Sequence, residues 1–208
     1  MGTENTAGRD PFFVLEEALK GGVTCFQLRE KGPGALEGEE LLDFATRCKQ
    51  YCHRYKVPFI VNDDVDLALQ VGADGIHLGQ DDGDISSVRD KIGPSMLLGV
   101  STHNVAEALA AAEAGADYIG IGPVYGTKSK TDAQPVIGPG MIREIALLLP
   151  GLPMVGIGGI SERKIGTVIQ AGASGVAVIS AIAGQENPQE AARRMKGAVR
   201  IALTGAEM

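Results

Sequence analysis

One junction recurs four times in this chain and constrains its architecture more than any other feature. It reads Gly21-Gly22-Val23-Thr24-Cys25-Phe26, Gly72-Ala73-Asp74-Gly75-Ile76-His77, Gly115-Ala116-Asp117-Tyr118-Ile119-Gly120 and Gly172-Ala173-Ser174-Gly175-Val176-Ala177. Each copy closes a stretch of helical apolar spacing and opens a short β run. A glycine just past a helix takes the left-handed terminating conformation without a Cβ penalty, so the copies mark helix-to-strand turns. Helices are then expected near 11-20, 38-55, 64-71, 84-92, 104-114, 138-149, 161-171 and 188-203, and strands near 23-28, 58-61, 75-78, 96-100, 117-121, 153-157 and 175-179. Strict alternation, with strands apolar on both faces, implies parallel strands covered by helices, either as a doubly wound sheet or as a (β/α)₈ barrel.

The pattern yields seven strands and opens on a helix, whereas a closed barrel takes eight. The missing one would precede Asp10-Pro11, where Met1 to Arg9 is polar and a poor strand. Either the barrel lacks its first strand, or the sequence begins late, or this start is a disordered tail. Without that strand, the runs near 23-28 and 175-179 each keep an unpaired edge. The 208 residues suit one α/β domain spanning 1-208.

Charge narrows the possible partners. With 19 basic against 26 acidic residues and a net charge of -7, the chain lacks the surplus of cations that broad nucleic-acid binding needs. No apolar run is long enough to span a bilayer, and no basic stretch leads into an apolar one at the start, so a cytoplasmic protein acting on small molecules is expected. The three cysteines, Cys25, Cys48 and Cys52, make no disulfide framework, and the four-residue spacing of the last two is that of a buried helix face.

Two acidic clusters stand out within residues 60-82. Ile60-Val61 runs into Asn62-Asp63-Asp64, and Gly75-Ile76-His77-Leu78 runs into Gly79-Gln80-Asp81-Asp82, with a helical stretch between them. Acids just past two successive parallel strands can make one hard-metal site from two loops. The alternative is that Asp63, and Asp81 or Asp82, merely cap the helices that follow.

The other strand ends are polar as well. Gln27, Arg29 and Lys31 alternate on one side of their strand while Phe26 and Leu28 take the other, which sets two cations toward the acids of the next strands, an arrangement suited to a diphosphate. After Tyr118-Ile119-Gly120-Ile121 comes a loop from Gly122 to Thr131 rich in hydroxyls and ammonium groups, able to bind phosphate unless it is simply solvated. Val155-Gly156-Ile157-Gly158-Gly159-Ile160-Ser161, with Ser161 as candidate N-cap, and Val178-Ile179-Ser180-Ala181-Ile182 occupy the place of the phosphate cup in such barrels.

Taken in order, Gln27-Leu28-Arg29-Glu30-Lys31, Val61-Asn62-Asp63-Asp64, Gly75 to Asp82, Gly99-Val100-Ser101, Gly120 to Tyr125 and Val155 to Ile160 resemble the thiamine-phosphate synthase family of (β/α)₈ enzymes. The resemblance covers about Pro11 to Met195. It implies condensation of 4-amino-5-hydroxymethyl-2-methylpyrimidine diphosphate with 4-methyl-5-(2-phosphoethyl)thiazole, giving thiamine phosphate and diphosphate. It assigns the pyrimidine diphosphate to Gln27, Arg29, Lys31, Asn62, Ser101 and Lys130, within a substrate-binding stretch that includes Leu28 and Glu30. Magnesium falls to Asp63 and Asp82. The thiazole phosphate falls to Thr127, Lys128, Ser129, Gly159, Ile179 and Ser180. The implied mechanism is dissociative, with Arg29, Lys31 and Lys130 as the catalytic cations. Gly126 departs from the family's proline, and the apolar first strand of the family is missing.

Two other readings compete. A thiazole tautomerase of the same ancestry would place a histidine where this chain has Pro123, and would lack the acid pair. His77 lies mid-strand and reads as an interior hydrogen-bonded residue. A non-catalytic thiamine phosphate binder or regulator would have no use for the metal acids or the diphosphate cations.

Overall fold

A computed structural model of the protein describes residues 1-127 and 135-205. Among them are seven strands: β1 (Phe26–Leu28), β2 (Phe59–Asn62), β3 (Gly75–Leu78), β4 (Leu97–Thr102), β5 (Tyr118–Ile121), β6 (Met154–Ile157) and β7 (Gly175–Ala177). The α-helices are α1 (Pro11–Lys20), α2 (Gly38–Arg54), α3 (Val65–Val71), α4 (Ile85–Ile92), α5 (Val105–Glu113), α6 (Gly138–Leu148), α7 (Ile165–Gln170) and α8 (Pro188–Thr204). Short 3-10 turns cover Thr3–Thr6 and Glu162–Lys164, the second replacing the first turn of the expected 161-171 helix.

The strands follow one another in chain order, and each recorded pair is parallel. A doubly wound sheet would reverse its order at a switch point, so this order is that of a (β/α) barrel, here with seven strands. The start of the chain forms no strand. Instead the Met1 amino group donates to the Gln27 carbonyl at 2.8 Å and Arg29 N–H donates to the Met1 carbonyl at 3.2 Å, so one residue alone pairs with β1. β1 is shorter than expected, because the turn at Gly21-Gly22 carries the chain through Cys25 before pairing begins.

The chain divides into two compact units. In the first (residues 1-77, 92-97 and 179-193), β1 to β3 pair in register from Phe26 opposite Phe59 to Asn62 opposite His77. Leu15, Leu28, Phe59, Ile60 and Ile76 are buried there, with Phe26 and Phe59 stacked at 6.2 Å. In the second (78-91, 98-178 and 194-208), Leu98, Val100, Ile119, Ile121, Ile142 and Ile145 are fully buried. Large β-branched and Leu side chains on both strand faces remove apolar surface from water without needing a polar side to the sheet.

The recurring junction has a structural use in both units. Gly22, Gly72, Gly115 and Gly172 all take positive φ, as terminating glycines should. In two copies an aspartate two residues later clasps the strand before it. Asp74 N–H donates to the Phe59 carbonyl and its carboxylate accepts from Phe59 N–H; Asp117 does the same with Leu98. In the fourth copy Ser174 N–H donates to the Met154 carbonyl at 2.8 Å. These acids belong to the start of each strand, opposite the end where the site residues lie.

Candidate functional site

Each unit carries its share of the sequence-predicted residues, placed within its strands or past their carboxyl ends. In the first, Asp63 follows β2 and is held in an unusual conformation. Its φ is 67°, a left-handed value that costs energy in any residue but glycine and is least costly for Asn and Asp. Its N–H donates to the His77 carbonyl at 2.8 Å, and its carboxylate meets the Lys31 ammonium. Capping of α3 is done by the next residue: the Asp64 side chain accepts from Leu67 N–H at 2.8 Å. The capping alternative therefore fails for Asp63. Strained backbone held in place by its surroundings is a common mark of a functional position.

Lys31 stands where the alternation put it, over the acid of the neighbouring strand, and its side chain is half exposed. Gln27 lies in β1 between the buried Phe26 and Leu28. The two oxygens of Glu30 are engaged by Thr3, through N–H at 2.8 Å and through its hydroxyl, and by Leu36 N–H at 3.3 Å. Glu30 thus holds the loop that carries Arg29 and Lys31 against the 3-10 turn at the chain start. Asn62 ends β2, and Ile179 and Ser180 begin the turn after β7. The Ile179 carbonyl accepts from Ile182 and Ala183 N–H, and the Ser180 carbonyl from Gly184 N–H and the Gln185 side chain.

In the second unit, the Asp82 carboxylate accepts from Gly79 N–H at 2.7 Å, closing the loop after β3 on itself. The residue that caps α4 is Asp84, which accepts from the N–H and hydroxyl of Ser87. Neither Asp81 nor Asp82 plays that part. Ser101 lies near the end of β4, where the Gln80 side chain donates to its carbonyl at 2.7 Å.

The loops after β5 and β6 are zipped together. Val124 and Tyr125 N–H donate to the Ile157 and Gly158 carbonyls at 2.8 and 3.1 Å. Gly159 has φ +60°, and a Cβ there would lie 2.3 Å from the Gly126 carbonyl oxygen, so only glycine fits. Lys164 donates to the Gly159 carbonyl at 3.0 Å and sits 4.2 Å over the Tyr125 ring, tying both loops to one cation. Ser161 occupies an N-cap position but its side chain makes no capping bond; Lys164 N–H donates to its carbonyl instead. Thr127 ends this described stretch. Lys128, Ser129 and Lys130 lie outside the described residues.

The remaining candidates have structural roles. Cys48 and Cys52 are buried, and burial pushes the Cys48 thiol up to about 12 and Cys52 higher still, so neither offers a thiolate. His103 Nδ1 lies 2.9 Å from Glu107, whose carboxylate also accepts from His103 N–H while Asn104 caps α5. His77 is buried within β3, and Pro123 is buried just after β5. Arg9, Thr3 and Lys164 carry no signal in the sequence, because their partners are distant in sequence or are backbone carbonyls, and the Lys164 contact of Tyr125 is likewise not legible in its motif.

Known proteins resemble this chain along nearly its whole length. A family model described as thiamine monophosphate synthase matches residues 2-182. The thiamine-phosphate synthase of Geobacillus kaustophilus is 53% identical over 98% of this chain and 91% of its own length, and that of Bacillus velezensis is 50% identical over 99% and 91%. A solved thiamine phosphate pyrophosphorylase from Pyrococcus furiosus superposes with a TM-score of 0.87 at 34% identity, covering 97% of this chain and 94% of that one. A 3-hexulose-6-phosphate synthase at 20% identity and a TM-score of 0.65 shares the fold alone. With seven parallel strands in barrel order and matches of this depth along nearly its whole length, the chain belongs to the thiamine-phosphate synthase family.

Proposed function

We propose that this chain joins the pyrimidine diphosphate to the thiazole phosphate to form thiamine phosphate, in the cytoplasm, with magnesium held by Asp63 and Asp82. The observation that carries the reading is the division of labour between neighbouring acids. Asp64 and Asp84 do the capping, while Asp63 keeps a costly backbone conformation and aims its carboxylate at a lysine.

The donors fit the metal. Magnesium commonly takes one or two carboxylates and completes its shell with water and substrate phosphate oxygens. Asp63 and Asp82 supply two carboxylates, the hard oxygen donors that such an ion takes. When bound, the ion would disperse charge on the departing diphosphate.

The protein's own groups do the rest. Arg29, Lys31 and Lys130 stabilise the leaving diphosphate as its bond to the pyrimidine methylene breaks. Gln27, Asn62 and Ser101 orient the pyrimidine, supported by the Leu28-Glu30 stretch. Thr127, Lys128, Ser129, Gly159, Ile179 and Ser180 hold the thiazole phosphate so that the ring nitrogen captures the carbocation. No protein base is needed, and positioning with electrostatic stabilisation supplies the rate.

The test is purified protein given both substrates. Diphosphate should appear only with magnesium, and Lys130→Ala should slow its release while leaving the melting temperature unchanged. Activity indifferent to a chelator would remove the metal assignment. Thiazole isomerisation without diphosphate release would make the chain a tautomerase, and binding of thiamine phosphate without turnover would make it a regulator.

A further inference from the structure

Arg9 makes contacts that the chemistry above does not use. It stands just before Asp10, whose side chain caps α1 by accepting from Phe12 N–H at 3.0 Å, so its backbone is well anchored. Its guanidinium is spread over four carbonyls. Nε donates to Thr6 at 3.0 Å, one terminal nitrogen to Gln185 at 2.7 Å and Glu186 at 3.3 Å, and the other to Ala183. Three of these acceptors lie in the turn that follows β7.

That same turn closes back on the two residues assigned to the thiazole phosphate. Ala183 N–H donates to the Ile179 carbonyl at 2.8 Å, and Gly184 N–H and the Gln185 side-chain amide donate to the Ser180 carbonyl at 3.2 and 3.1 Å. Residue by residue, Ala183 and Gln185 give their carbonyl oxygens to Arg9 and their N–H groups to the Ile179–Gln185 turn. The planar fork of donors on one guanidinium holds several separated carbonyls in fixed directions, where the rotatable donors of an ammonium all leave a single nitrogen. With their carbonyls committed in this way, the peptide units of Ile179 and Ser180 are fixed before any ligand arrives. A phosphate held by N–H and hydroxyl groups gains affinity from such preorganisation.

We propose that Arg9 is a positioning residue for the thiazole phosphate, acting through the turn Ile179 to Glu186 and touching neither substrate. The inference rests on the assignment of Ile179 and Ser180 to that phosphate. It also gives Met1 to Arg9 a use in the reaction, since Thr3 and Glu30 hold the Arg29-Lys31 loop while Arg9 holds this one.

Steady-state kinetics of Arg9→Ala and Arg9→Lys against the wild-type protein test it, with calorimetric titration of thiazole phosphate as a readout that needs no turnover. Arg9→Ala should raise KM for the thiazole phosphate and weaken its binding about tenfold, a loss of about 1.4 kcal/mol. KM for the pyrimidine diphosphate and kcat at saturation should stay within about twofold, against the same conversion. Arg9→Lys, which keeps the charge but reaches fewer carbonyls, should fall between the two. If Arg9→Ala does not fold, the lysine variant alone must show the split between the two KM values. Equal rises in both KM values would reduce Arg9 to a structural role, and an unchanged thiazole phosphate affinity in a folded variant would overturn the proposal. Wild-type protein that neither binds nor converts the thiazole phosphate would instead overturn the proposed function.

Discussion

Asp63 and Asp64 are adjacent in the chain and opposite in use: Asp64 accepts from Leu67 N–H to start α3, and Asp63, left-handed at φ 67°, turns its carboxylate to Lys31. The pair separates stability from activity. Asp64→Ala should cost about 1 kcal/mol of unfolding free energy, the usual value of a lost N-cap, and leave kcat unchanged. Asp63→Asn removes the charge in a residue that tolerates the left-handed backbone, so it should fold normally and lose at least about a hundredfold in kcat/KM. Urea unfolding and initial rates on both variants check this; an Asp63→Asn protein that unfolds early but keeps its activity per folded molecule would reverse the assignment.

Gly159 should accept no side chain. A Cβ at 2.3 Å from the Gly126 oxygen and 2.9 Å from the Tyr125 oxygen would force apart the loops after β5 and β6, and φ +60° adds strain. We expect Gly159→Ala to lower stability by about 1 to 3 kcal/mol and to raise KM for the thiazole phosphate more than KM for the pyrimidine diphosphate. Unchanged use of the thiazole phosphate would move its subsite elsewhere.

Stability should depend on pH through Asp74. Burial alone would raise its pKa, but the Phe59 N–H bond and then His53 outweigh that, and the carboxyl sits below its ordinary value of 3.8. A lowered folded-state pKa means that the ionised group adds stability above the unfolded value and loses it as pH falls through the folded one. The difference in urea midpoint between wild type and Asp74→Asn should therefore be full near neutrality and shrink below the ordinary value of 3.8. A difference that grows on acidification would contradict the direction of the shift.

Thr102 carries a hydroxyl that is fully buried and finds no hydrogen-bond partner among the described residues. Exchange for an isosteric apolar side chain removes an unpaid desolvation cost. Thr102→Val should be neutral or stabilising by up to about 1 kcal/mol. Destabilisation by more than that would reveal a bonded water at this hydroxyl.

The secondary structure was legible because it is set by local rules that the sequence states repeatedly. The Asp10, Asp64 and Asn104 caps and the Gly21, Gly72 and Gly115 turns mark α1, α3 and α5, while apolar periodicity without such signals places α2 and α6 within about a residue of where they lie. The strand expected at 23-28 is longer than β1 because Val23 and Cys25 have the apolar side chains of strand residues, yet Val23 N–H bonds the Ala18 carbonyl in the turn. The expected 161-171 helix begins as a 3-10 turn at Glu162–Lys164, because the sequence does not distinguish a 3-10 first turn from an α-helical one.

The order of elements, the strand ends that carry polar loops, and the family all follow from patterns a few residues long or from motifs in fixed order, which the chain displays before it folds. Which of two adjacent acids caps a helix is settled by folding, because it depends on where φ turns helical rather than on residue type. Tertiary structure alone also gave Arg9 its partners. Its acceptors are backbone carbonyls up to 177 residues away, and every residue has a carbonyl, so no pattern in the chain could announce them.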